Sequence, residues 1–399
     1  MSQAGAARAP SPAPIREPDA RPSAPAQAPF PPLQSTLNYL ARVCAGSAHP
    51  DRIAEESWPA LIRVALAHGV APLLHLKTKG QALPEAASAE LRGIYRANLA
   101  RNVALDEERA ILQAELMRQA GPVIPLKGPQ LAMWLYGDPG ARQVADVDLL
   151  IRPEHLPAAD SVLTRLGFVR EAATLARLQR CRDVCYSRPR EGKGELCIDL
   201  HLRLRPYGGS DHFVARLWQE GMTRENLLLY LCLNLMVHRW ARLQPLLDIV
   251  ALLRQGQLDW NRVEASAREL EWTAGVSYCL RFASQLTGTE TPIADSPFLG
   301  GSKLQRWWVE RVLGRNVDSL LERSRSLDGP FGTLALLGCE KGMLGKLRLA
   351  GSILFPAGAA LRQMDAHGGA LPLPLHYAER AARKTGQAMK ALAAARRAR

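Results

Sequence analysis

The chain has 399 residues, 47% of them hydrophobic, and a formal net charge of +13. It is too long for one small domain, apolar enough for a packed core, and biased toward anionic partners such as nucleotide phosphates, nucleic acid or an acidic membrane surface. No apolar run reaches the roughly 20 residues of a membrane span, and the odd, scattered set of 7 cysteines argues against a disulfide framework, so the expected setting is a reducing, cytoplasmic one.

Residues 1–33 are dense in Pro and Ala and lack the apolar stretch of a signal peptide. Such a segment buries too little to offset its ordering entropy, and a disordered leader is expected. From 34 to 120 the period is helical. Leu37, Leu40 and Val43 are three residues apart, Trp58, Leu61, Ile62 and Ala65 follow, then Val70, Leu73 and Leu74. A longer helix is expected from about Pro84 to Gln119, stopped by Gly121-Pro122.

The pattern changes at 121. Pro122 to Leu126 reads as a short extended segment, and Lys127-Gly128-Pro129 as a turn into a helix with Pro in its first turn. Residues 144–151, VADVDLLI, read as a strand, and Arg152-Pro153 opens a helix with Leu156, Ala159 and Leu163 on one face. Residues 183–187 and 195–204 read as a hairpin turned at Glu191 to Gly194. Beyond about 211 the chain is helical again, with segments near 224–240, 245–255, 260–272, 274–288, 301–325 and 332–350. Seven basic residues against Glu379 alone make 376–399 a basic tail. The expected units are therefore a leader (1–33), an N-terminal helical region (34–120), an αβ core (121–210), a C-terminal helical domain (211–375) and the tail.

The chemistry lies in VADVDLLI. Side chains at i and i+2 of a strand share a face, so Asp146 and Asp148 project together, roughly 7 Å apart along the strand. Two carboxylates on one face of an apolar strand are costly unless something positive sits between them, and a divalent metal is the simplest candidate. Asp199 in LCIDLHLRL repeats the pattern, with His201 on its face. A third carboxylate from a neighbouring strand would complete a site suited to two-metal phosphoryl or nucleotidyl transfer. Lys127 adds a positive charge beside the strand-to-helix turn, and Gly128 lets backbone N–H groups approach phosphate oxygens. Pro129 contributes no N–H. Arg142 is a candidate triphosphate contact. His238, in a leucine-rich helix, reads as a structural histidine or a neighbour of the site, and Asp248 as an anchor between helices.

The run from Leu126 to Phe168, with LKG, YGD, an Arg, D-V-D-L-L and LGF, resembles the uncharacterised nucleotidyltransferases of the DNA polymerase β-like superfamily. The later D-L-H at Asp199 to His201, the segment HRWARLQPLLDIVALL and the N-terminal AHGVAPLL fit the same resemblance, which spans roughly 36–380. It departs from the wider superfamily in having Gly128-Pro129 where Gly-Gly or Gly-Ser is usual. The resemblance implies an α+β fold, a small mixed β-sheet with helical regions before and after it. It also implies Mg2+- or Mn2+-dependent transfer of a nucleoside monophosphate from an NTP to an unidentified hydroxyl or phosphate acceptor, with Asp146, Asp148 and Asp199 as catalytic metal ligands. The rivals are an inactive nucleotide- or partner-binding member of the fold and a basic nucleic-acid-binding protein. Nucleic acid is the less favoured partner, because no RNA- or DNA-binding motif is visible and much of the excess charge lies in the tail.

Overall fold

In the computed structural model, the described residues are 33–50, 53–170, 183–190, 194–204, 211–288, 291, 303–323, 330–340 and 342–354, with a few between 378 and 389. The expected leader up to residue 32, the hairpin turn at 191–193 and most of the basic tail lie outside them.

Helices α1 (Leu33–Cys44), α2 (Trp58–Ala67) and α3 (Ala71–Thr78) come first, α2 and α3 each with a proline in the first turn, where its missing N–H is not needed. The next helix, α4 (Glu85–Gln119), runs 35 residues, about 52 Å at 1.5 Å per residue. Its buried positions Leu91, Asn98, Asn102, Leu105, Leu112 and Leu116 fall in steps of seven, four and three, which keeps one stripe facing inward.

Five strands make one mixed sheet: β1 (Ile124–Lys127), β2 (Val147–Leu150), β3 (Val169–Arg170), β4 (Asp183–Arg190) and β5 (Gly194–His201), in the order β1-β2-β5-β4-β3. Only β2 and β5 run parallel; the other neighbours are antiparallel. Helix α5 (Pro129–Tyr136) links β1 to β2, and α6 (Leu156–Arg165) follows β2. The arrangement is α+β, as expected.

One core lies under the sheet. Val147 and Leu149 of β2, Leu196, Ile198 and Leu200 of β5, and Val184 and Tyr186 of β4 pack with α6 and with Leu105, Leu112 and Leu116 of α4. A second core joins α1–α3 to the helices after the sheet: α7 (Asp211–Glu220), α8 (Arg224–Val237), α9 (Leu243–Gln255), α10 (Trp260–Glu269), α11 (Thr273–Thr287), α12 (Lys303–Leu313), α13 (Val317–Arg323) and α14 (Pro330–Cys339). Helix α15 spans Gly342–Leu354. Helix α4 belongs to both cores, with Ala87 and Leu91 in the second and its C-terminal half in the first. Among the described residues no helix is long and apolar enough to cross a membrane.

Candidate active site

Strand register assembles the acids. Lys127 at the end of β1 is the partner of Asp148 in β2, and Asp148 is the partner of Asp199 in β5. Paired positions on adjacent strands point to one side of a sheet, so Asp148 and Asp199 stand next to each other, and His201 shares their face two residues further on. Ligand atoms of Asp148, Asp199 and His201 all lie within 4.8 Å of one another.

Asp148 is only 1% exposed, and an ionised carboxylate at that depth needs partners. It has two: His201 Nε2 is 2.7 Å from Oδ1, and Lys127 Nζ is 3.0 Å from Oδ2. Burial pushes the Asp148 carboxyl up, but the His201 hydrogen bond and the Lys127 charge outweigh it and hold the group well below the usual carboxylate range. The sequence pattern alone suggests that a metal would be what separates the acids; the fold supplies Lys127 and His201 as well. His201 Nδ1, also buried, makes no hydrogen bond.

Asp146 lies just before β2, half-buried and 3.8 Å from Lys127 Nζ. Burial and then the negative charge of Asp148 raise its pKa, Asp199 adds to this, and Lys127 and Arg142 oppose it. Asp146 therefore feels both other acids, although it is not part of the tight group formed by Asp148, Asp199 and His201.

The strand expected over 144–151 is paired only over Val147–Leu150. Side chains, not a neighbouring strand, take the carbonyls that precede it. Asn98 and Asn102 of α4 donate to Arg142 O at 2.9 and 2.8 Å, Gln244 to Gln143 O at 2.9 Å, and Arg101 to Ala145 O at 3.2 Å. These bonds strap the loop carrying Arg142 and Asp146 to α4 on one side and to the start of α9 on the other. Arg142 itself is buried: its Nε donates to Asp248 Oδ2 at 3.0 Å, and Tyr136 Oη donates to Asp248 Oδ1 at 2.9 Å. Asp248 is fully buried and anchors α9 to α5 and to the loop.

Gly128 precedes α5 at φ 128°, ψ −159°, a backbone region essentially confined to glycine. A side-chain carbon built there would meet nothing within 4 Å, so the backbone angle rather than crowding demands glycine, and open space lies over the start of α5.

Next to the acids opens a cleft of about 410 Å³, within the ~300–1,000 Å³ usual for ligand sites. Lys127, Arg142 and Asp146 line it from the sheet side, and His238, Arg239 and Arg242 from the junction of α8 and α9. Sequence reasoning singled out Lys127, Arg142, Asp146 and His238 among these. It assigned no role to Arg239 or Arg242, although both lie in the segment HRWARLQPLLDIVALL. It also overlooked Asn98 and Asn102, which were detectable as polar residues one turn apart on the apolar stripe of a long helix.

No curated protein and no solved structure matches the chain. The sequence model of a family described as uncharacterised nucleotidyltransferase matches residues 54–288, a span that contains the whole sheet, the acid cluster and the cleft-lining residues. The chain belongs to this family of uncharacterised nucleotidyltransferases.

Proposed function

We propose that the protein transfers a nucleoside monophosphate from an NTP to a hydroxyl or phosphate acceptor, releasing pyrophosphate, with Mg2+ or Mn2+. The observation that carries this reading is the parallel pairing of Asp148 with Asp199, which sets two carboxylates together with Asp146 nearby at the rim of a basic cleft. The donors suit a divalent cation: hard carboxylate oxygens with a buried imidazole beside them. Asp146, Asp148 and Asp199 are its proposed ligands, with His201 holding Asp148 in place. When bound, such an ion neutralises phosphate charge and makes an attacking hydroxyl more acidic.

The chain's own groups account for the rest. Lys127, the backbone at Gly128 and Arg142 hold the phosphates. Asp199, the least enclosed of the paired acids, takes the proton from the acceptor hydroxyl. The acceptor oxygen forms a bond to the α-phosphorus, the bond from that phosphorus to the β-phosphate oxygen breaks, and the electron pair leaves with pyrophosphate. The units 34–120, 121–210 and 211–375 serve as flank, catalytic core and flank.

The Lys127–Asp148 ion pair favours one alternative, a member of the fold that binds nucleotide without turning it over. Labelled NTPs incubated with the protein, Mg2+ or Mn2+ and cell extract separate the two. A labelled product together with pyrophosphate is expected. Saturable NTP binding with no product under any metal would leave the non-catalytic alternative.

A further inference from the structure

Two cations of the cleft take part in no ion pair among the described residues. Lys127 is engaged with Asp148 and Asp146, and Arg142 with Asp248. Among the described residues neither Arg239 nor Arg242 takes part in an ion pair. Glu271 and Glu340 border Arg239 on its other side, around a small pocket of about 40 Å³.

The backbone that presents these arginines is strained. Arg239 and Trp240 are consecutive non-glycine residues at φ 56° and 55°, a left-handed conformation that costs residues with a Cβ. The turn is nevertheless well held. Arg239 N donates to Met236 O at 2.8 Å, Trp240 N to Leu235 O at 2.9 Å, and the Trp240 side chain is 1% exposed in the helical core. Continuing α8 in right-handed geometry would relieve the strain. Strain of this kind persists where the surroundings over-determine it, commonly at ligand sites.

We infer that Arg239 and Arg242 bind the β- and γ-phosphates of the incoming nucleotide, the pyrophosphate that leaves. The inference rests on the reading that an NTP occupies the cleft, and it assigns the leaving group to the helical side. The α-phosphate lies toward Asp146, and the phosphate tail runs toward the junction of α8 and α9. Planar guanidinium forks suit paired phosphate oxygens, and losing one such contact removes affinity without disturbing a core.

The test is calorimetric binding of inorganic tripolyphosphate, an NTP and the matching NMP to wild type, Arg239→Gln, Arg242→Gln and Arg239→Gly. Each variant is expected to weaken tripolyphosphate and NTP roughly tenfold or more, one lost charged contact, while NMP affinity stays within about twofold. Arg239→Gly keeps or raises the melting temperature, because glycine accepts the positive φ, and shows the same loss of affinity. Unchanged tripolyphosphate binding in both glutamine variants overturns the inference, as does an equal loss for NTP and NMP. Wild type that binds a single-stranded oligonucleotide through these arginines and ignores tripolyphosphate overturns it in favour of nucleic acid. Wild type that binds tripolyphosphate as described yet makes no product upholds it and removes the transferase reading instead.

Discussion

Asp146 and Asp148 stand two residues apart, yet their surroundings push their pKa values in opposite directions, Asp146 up and Asp148 down. The difference is one of depth and partners. Asp148 has a histidine and a lysine at hydrogen-bonding range, whereas Asp146 sits at the rim facing two other acids. A carboxyl whose folded pKa is raised holds its proton more tightly in the fold. Its ionisation therefore lowers stability as pH rises through that pKa, and the penalty is absent below the unfolded value of about 3.9. With metal chelated, Asp146→Asn should raise the melting temperature at pH 7 by about 1–3 °C, and the gain should vanish below about pH 4. A lower melting temperature at pH 7 would show that the Lys127 contact dominates. Asp148→Asn should do the reverse, destabilising by about 3–5 kcal/mol because half-buried Lys127 loses its counter-charge and buried His201 its carboxylate partner; chemical denaturation measures it. The spacing of the two acids was legible in the sequence because a strand period needs only local information. Their different depths were not, since Lys127 reaches Asp148 only through strand pairing.

At the scale of elements, α4 ties the two cores together, and its two buried asparagines mark where the loop carrying Arg142 and Asp146 crosses it. Asn102 donates to Pro139 O at 2.6 Å and to Arg142 O at 2.8 Å. Asn102→Ala should cost about 1–3 kcal/mol, the penalty for buried carbonyls left without donors, read by urea denaturation. Amide exchange across 139–146 should accelerate while β5 stays protected. Equal acceleration in both would mean that the asparagine supports the whole fold rather than this loop. The helix itself was foreseeable from its period, as were β1, β4, β5 and the turn at Gly128. The shortened β2 was not, because what stops the pairing before Val147 is a set of side chains from α4 and α9 that are distant in sequence. The end of α8 at Val237 was hidden for a related reason: the apolar run LLLYLCLNLMV carries no capping residue.

Over the whole molecule, helices from both ends of the chain share one core and the sheet has another, and the cleft is lined from both sides. A ligand held there by the loop before β2 and by the α8–α9 junction bridges the two cores, so its binding should register as global stabilisation. The resemblance in the sequence reached the family. It also covered the helical wall of the cleft, in HRWARLQPLLDIVALL, but attached no role to the arginines there. The most direct measurement is the shift in melting temperature caused by NTP with Mg2+ or Mn2+, compared between wild type and Asp199→Asn. Asp199 is partly exposed and has no ion pair among the described residues, so the variant should fold normally. Wild type at about 100-fold excess over Kd should gain about 2.7 kcal/mol, and the metal-dependent part of that gain should disappear in Asp199→Asn while its ligand-free melting temperature is unchanged. A variant that keeps the full metal-dependent shift would contradict the assignment of these carboxylates to a metal–nucleotide site.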